Sequence, residues 1–167
     1  MLKPTFAAFA RYNAWANRLI YDAAAELSDR DYRADRGAFF RSVHGTLNHL
    51  LVADRVWMQR FTGEGEAPSR LDAILHDDLA GLRRAREAED ARIVAYVDGL
   101  DEAKLAGTIS YRRVSTPEPF EQALAPALSH FFNHQTHHRG QVHALLTGLA
   151  GKAPEMDLLY FQRQQAG

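Results

Sequence analysis

Four of the eight histidines in this chain lie between positions 130 and 138, within the segment SHFFNHQTHHRGQVHALL. His134 and His138 are four residues apart. On a helix that spacing puts both imidazoles on one face, a turn apart, where one divalent cation can take both. His130 also has helical spacing to His134 and His137. Placing residues at about 100° intervals with His130 at 0° puts Ala127, Leu128, Phe131, Val142, Leu145 and Leu146 on an apolar arc from about 60° to 160°. His138 falls at about 80°, inside the arc, and His134 at about 40°, at its edge. His137 and His143 fall at about 340° and 220°, outside it. The inward pair is therefore His134 and His138.

Two imidazoles rarely hold a metal alone, so a third ligand is expected from a facing helix. The segment 39–62 offers His44 and His49, one at each edge of its apolar arc, and periodicity does not choose between them. Asp54 projects into that arc, where a carboxylate is costly unless paired. It is expected either to accept a hydrogen bond from a ligand imidazole or, the favoured reading, to pair with an arginine. The helix motif reads His134-Gln135-Thr136-His137-His138, with glutamine where an H-E-x-x-H metalloprotease carries its general base. A protease of that type is disfavoured.

Such a site needs long helices to position it. Phe6, Phe9, Ala16, Leu19, Ile20, Ala23 and Leu27 predict a helix over 4–28, with Pro4 suited to a first turn. A charged connector follows at 29–38. Phe39, Val43, Leu47, Leu50, Val56, Trp57 and Phe61 predict a helix over 39–62, ended by TGEGEAP. A third helix is predicted over 69–98, with Ser69 and Asp72 as a weak capping box. Its middle, RRAREAEDAR, reads as a solvated face rather than an interaction surface. A short helical turn is expected at 101–106. Ile109, Tyr111 and Val114, then Ser115-Thr116-Pro117-Glu118-Pro119, predict an irregular or hairpin-like insertion over 107–121. The histidine-bearing helix spans 121–148, and a short C-terminal helix 155–165. The fold class is all-α, a four-helix bundle in a single domain over 1–167.

Composition narrows the function. The chain has 167 residues, 46% apolar and 25% charged, with a net charge of −1 and no cysteine. These values fit one soluble globular domain. Neutral charge disfavours nucleic acid as a partner. The absence of cysteine removes disulfides, thiolate zinc sites and a cysteine nucleophile. No run is long and apolar enough to span a membrane, and no signal peptide is read at the N-terminus. The expected location is the cytoplasm.

Three segments, YNAWANRLIYDAAAEL, FFRSVHGTLNHLLVADRVWMQRF and HFFNHQTHHRGQVHALLTGLAG, make the chain resemble the DinB family of DinB/YfiT-like metalloenzymes over nearly its whole length. The resemblance implies an up-down-down-up four-helix bundle and a three-histidine metal site, with zinc and nickel as the first candidates and manganese or iron after them. The family's helix 2 histidine falls on His49. Its HxxxH pair falls on His134 and His138. The resemblance alone selects His49 over His44.

Three imidazoles leave coordination positions open, the mark of a catalytic rather than a structural ion. The ion could activate water for hydrolysis or hold an external thiol as thiolate. Characterised relatives include transferases and isomerases that use low-molecular-weight thiols. The resemblance thus favours a thiol transferase acting on a small electrophilic substrate, with a hydrolase as the alternative. A further alternative is a non-catalytic metal-binding stress-response module, since the family's name refers to induction by DNA damage. His137 and His130 could shuttle protons, and Asn13 or Asn17 could bind a ligand. Trp15, Trp57 and Tyr160 could wall a pocket. For each of these the ordinary structural role is the expected one. A homodimer is compatible with the apolar content of the first and last long helices.

Overall fold

The computed structural model describes residues 1–112 and 118–166. Four long helices dominate: α1 (Lys3–Ala25), α3 (Val43–Thr62), α4 (Leu79–Asp98) and α6 (Leu124–Ala150). Three short helices accompany them: α2 (Asp29–Arg33), α5 (Glu102–Leu105) and α7 (Leu158–Ala166). An antiparallel hairpin, β1 (Thr108–Arg112) and β2 (Pro119–Ala123), precedes α6, with Thr108 opposite Ala123 and Arg112 opposite Pro119. The expected insertion is therefore a hairpin. Val114 and the turn residues 115–117 lie outside the described residues.

The contacts give each helix its direction. Arg11 pairs with Asp98 and Asp22 with Arg83, so α1 and α4 run antiparallel. Phe6 stacks on Phe132 and Asn13 accepts from Arg139, so α1 and α6 run parallel. His49 meets His138 and Phe61 meets Phe131, which makes α3 antiparallel to α6. Asp54 pairs with Arg86 and Thr62 accepts from Arg92, which makes α3 parallel to α4. The bundle is up-down-down-up, as expected. Two apolar layers fill it. Ile20, Leu47, Leu51, Leu82 and Val142 form one, and Phe6, Met58, Ile93, Leu128 and Phe131 the other. Each such side chain contributes roughly 1.5–3 kcal/mol when taken out of water.

Parallel neighbours cannot be joined by a tight turn, so 63–78 must travel back along the bundle. This corrects the predicted helix over 69–98. The helix begins at Leu79, capped by Asp78, whose carboxylate accepts from the Gly81 amide at 2.7 Å. Ser69 and Asp72 make no capping box; Asp72 instead binds Arg70. Leu71 and Ile74, assigned to the apolar stripe, are about half exposed. A second correction concerns the start at 39. Ser42 caps α3 by accepting from the Gly45 amide, and 36–41 forms a tight turn in which Arg41 adopts φ 68°. A side chain on Gly45 would collide with the Phe40 carbonyl oxygen, so glycine lets that turn close onto the helix. The third correction is RRAREAEDAR. Arg86, Glu89 and Asp90 are buried, not solvated.

Candidate metal centre

His49 comes from the second turn of α3, and His134 and His138 from successive turns of α6. Because the two helices are antiparallel neighbours, the three rings converge. One ligand nitrogen from each lies within 4.8 Å of the others. Ring centroids are 4.5 Å apart for His49 and His138, 4.4 Å for His134 and His138, and 5.2 Å for His49 and His134. His49 and His138 are buried and His134 is half-buried.

Hydrogen bonds aim two of these rings. His49 donates from Nδ1 to the Leu71 carbonyl at 2.8 Å. His138 donates from Nδ1 to Gln141 Oε1 at 2.9 Å. Each bond fixes the tautomer that leaves the Nε2 lone pair facing the other histidines. The Nε2 atoms of His49 and His134 are 3.4 Å apart. With the His49 Nε2 lone pair turned inward, a proton between the two would sit on His134 Nε2, and a bound cation would take its place. Burial pushes the His49 ring down to about 4, against the Leu71 bond, and His138 pushes it the same way. Burial and the other histidines push His134 down to about 3. Burial also lowers His138. At neutral pH all three are uncharged, the state a metal ligand requires.

The surroundings divide by chemistry. The Phe40 ring stacks on His49 at 3.7 Å with 15° between planes, and meets His138 edge-on at 5.5 Å. His130 lies beside His134 at 5.9 Å and against Trp57 at 5.2 Å. His137 is exposed, 4.8 Å from His138, and Gln141 Nε2 donates to its Nε2 at 3.2 Å. Gln141 thereby bridges a triad histidine and an outer one.

The remaining candidates sit elsewhere. His44 contributes nothing to the triad; its Nε2 bonds the His76 carbonyl and its ring packs on Tyr32. Asp54 makes the arginine pair rather than a bond to a ligand imidazole. Its carboxylate lies 2.7 Å from Arg86 and accepts from Gln135. Burial pushes its carboxyl above the ordinary carboxylate range, and the Arg86 charge pulls it back. Asn13 and Asn17 bridge Asp90 and Arg139 in the bundle interior, away from the triad. Trp15 packs on Phe161, and Tyr160 is partly exposed.

Three contributors escaped the sequence reading. Gln141 stands three residues after His138, a spacing that could have flagged it. Phe40 falls within the span 39–62 that periodicity assigns to helix, whereas it precedes the Ser42 cap. The Leu71 carbonyl carries no side-chain signal, since only the path of 63–78 brings it to His49.

Among proteins of known family, Protein DinB of Bacillus subtilis (strain 168) is 24% identical over 164 residues, spanning 90% of this chain and 90% of that protein. The model of the DinB family matches residues 1–166. With the bundle direction and the histidine group in agreement, this chain belongs to the DinB family.

Proposed function

We propose that His49, His134 and His138 hold one divalent ion, zinc or nickel, and that the chain is a metal-dependent enzyme. The observation that carries this is the convergence of three uncharged imidazoles whose outer nitrogens are tied down on His49 and His138. Such a donor set suits a borderline ion and leaves positions open. The bound ion supplies Lewis acidity toward a thiol or a water that reaches it. The chain's own residues do the rest. Leu71 and Gln141 keep the His49 and His138 rings oriented. Phe40 covers one face of His49 and limits solvent access from that side. His130 and His137 stand at the rim, where an imidazole can pass a proton to solvent.

The reaction we propose is attack of a low-molecular-weight thiol on a small electrophile: the S–H proton passes to solvent, the C–S bond forms, and the electrophile's leaving group departs with the electron pair of the bond it breaks. The chain contains no cysteine, so the thiol must come from outside. The test is turnover of the metal-loaded protein with thiol–electrophile pairs beside a panel of esters and amides. Thiol conjugation lost in His49→Ala, with the helical signal retained, is the expected result. Hydrolysis without any thiol requirement would replace the transferase with a hydrolase. Metal binding with no turnover in either panel would leave a non-catalytic metal-binding module.

A further inference from the structure

Among the described residues two arginines are fully buried, and they are treated differently. Arg86 faces two carboxylates, Asp54 at 2.7 Å and Asp90 at 3.1 Å. Arg139, 2% exposed, faces none directly among the described residues. Its Nη1 donates to the side-chain carbonyls of Asn13 and Asn17, which stand between it and Asp90. Its Nη2 lies 3.5 Å from Thr136 Oγ1, the outer limit of a hydrogen bond, and the Tyr12 hydroxyl is the other side-chain partner the guanidinium has on this side among the described residues. A guanidinium has five donors and matches a planar carboxylate in two parallel bonds.

Arg139 also lines a cleft of about 350 Å³ between α1, α6 and the start of α7. That volume is enough for a small organic molecule. Phe9, Phe132 and Leu158 form its apolar walls. Tyr12 caps the guanidinium with its ring, 5.4 Å away, and ties down the C-terminal segment by donating to the Met156 carbonyl at 2.7 Å. Asp157 lies exposed on the rim and makes no ion pair with Arg139. His134 and His138 point to α3, on the far side of α6. The cleft is therefore separate from the triad.

We propose that this cleft binds a small organic carboxylate, its carboxylate on Arg139 and its apolar body against Phe9, Phe132 and Leu158. The carboxylate takes the place that Asp54 and Asp90 fill on Arg86. A buried cation with spare donors at the end of an apolar cleft selects for charge at one end of the ligand and for apolar surface at the other. Neutral molecules of the same shape gain the walls but not the ion pair.

The probes are benzoate and its uncharged counterpart benzamide, titrated by calorimetry into the zinc-loaded full chain. Benzoate should bind saturably near or below about 1 mM, a reasonable limit for so small a ligand, with benzamide at least tenfold weaker. Arg139→Gln should abolish that difference. Because that buried substitution can also disturb folding, Ser129→Trp, at the exposed mouth of the cleft, provides a second arm and should block benzoate by filling the space. His138→Ala, which removes a triad ligand, should leave benzoate binding in place. Equal affinity for benzoate and benzamide would overturn the proposal. So would benzoate binding that survives Ser129→Trp and disappears in His138→Ala, since the carboxylate would then be on the metal. No saturable binding at all would overturn it as well.

Discussion

The helix α6 carries two buried polar clusters on interleaved residues, and they solve the cost of burial in opposite ways. Gln135 and Arg139 join a charged network with Asp54, Arg86, Asp90, Asn13 and Asn17, drawing on all four long helices. His134 and His138 join His49 in an uncharged cluster between only two of them. In the first, carboxylates lie against Arg86, and asparagines carry the contact from Asp90 to Arg139. In the second, desolvation keeps the rings neutral and their lone pairs turn toward a common centre. A charged network that supplies its own counterions holds helices in register. Arg86 finds its counterions inside that network, whereas Arg139 turns its Nη2 side toward the cleft, and the neutral cluster presents converging acceptors that suit a cation.

The largest effect should come from breaking the charged side. Asp54→Ala strands Arg86 without one of its two carboxylates, and breaking a buried pair costs about 3–5 kcal/mol. Denaturant unfolding of the metal-free protein should show this loss, and His138→Ala should show a far smaller one. Equal losses would erase the distinction between the clusters. The reverse comparison uses metal affinity. His138→Ala should weaken zinc binding by more than about 100-fold, exceeding what loss of a ligand's supporting partner costs. Next comes that supporting partner. Gln141→Leu frees the His138 ring to rotate and should weaken zinc about 10–100-fold without altering the fold. An unchanged affinity would mean that Gln141 does not orient the ring.

Legibility from sequence followed the same division. The triad pair on α6 was readable because spacing and the apolar arc both act within one helix. His49 could not be chosen over His44 by periodicity, since both flank the arc; the difference lies in how far along α3 the antiparallel α6 places its histidines. Asp54 was readable as a buried carboxylate needing a partner. Arg86 was not, because RRAREAEDAR resembles a solvated charged run and only the parallel packing of α3 on α4 buries its inner face. Periodicity starts α4 ten residues too early, at 69 rather than Leu79. Leu71, Ile74 and Leu75 mimic a helical stripe, yet the topology requires an extended return path there. The four-residue error at α3 has a similar origin. Phe39 and Phe40 look like a continuation of the apolar face, but Arg41 has positive φ and Ser42 caps the helix after them.

Two smaller effects sharpen the picture at that turn and at low pH. Gly45→Ala forces the Phe40 carbonyl away from α3, at a cost of about 1–3 kcal/mol for overpacking. Phe40 should then lose its stacking on His49, seen as a changed His49 ring signal by NMR; an unshifted signal would show that the turn adapts without moving the ring. The pH effect has a fixed sign. In the metal-free fold His49 and His134 titrate near 4 and 3, below the unfolded value of about 6.5. Unfolding therefore takes up protons. The histidine contribution to stability is complete above about pH 6.5 and declines as the pH falls through that value toward 4. His134→Ala should flatten this limb of the stability curve in metal-free protein. A limb of unchanged steepness would assign the acid sensitivity to other groups.

The proposed function depends on His49, His134 and His138 forming one metal centre. The most direct test is the metal content of untagged protein, purified without added metal, beside His138→Ala prepared in the same way. About one zinc or nickel per chain is expected in the wild type and little or none in the variant, with both proteins folded. A wild-type protein that carries no metal and takes up neither zinc, nickel, manganese nor iron on titration would contradict it, and the histidines would then be bundle interior.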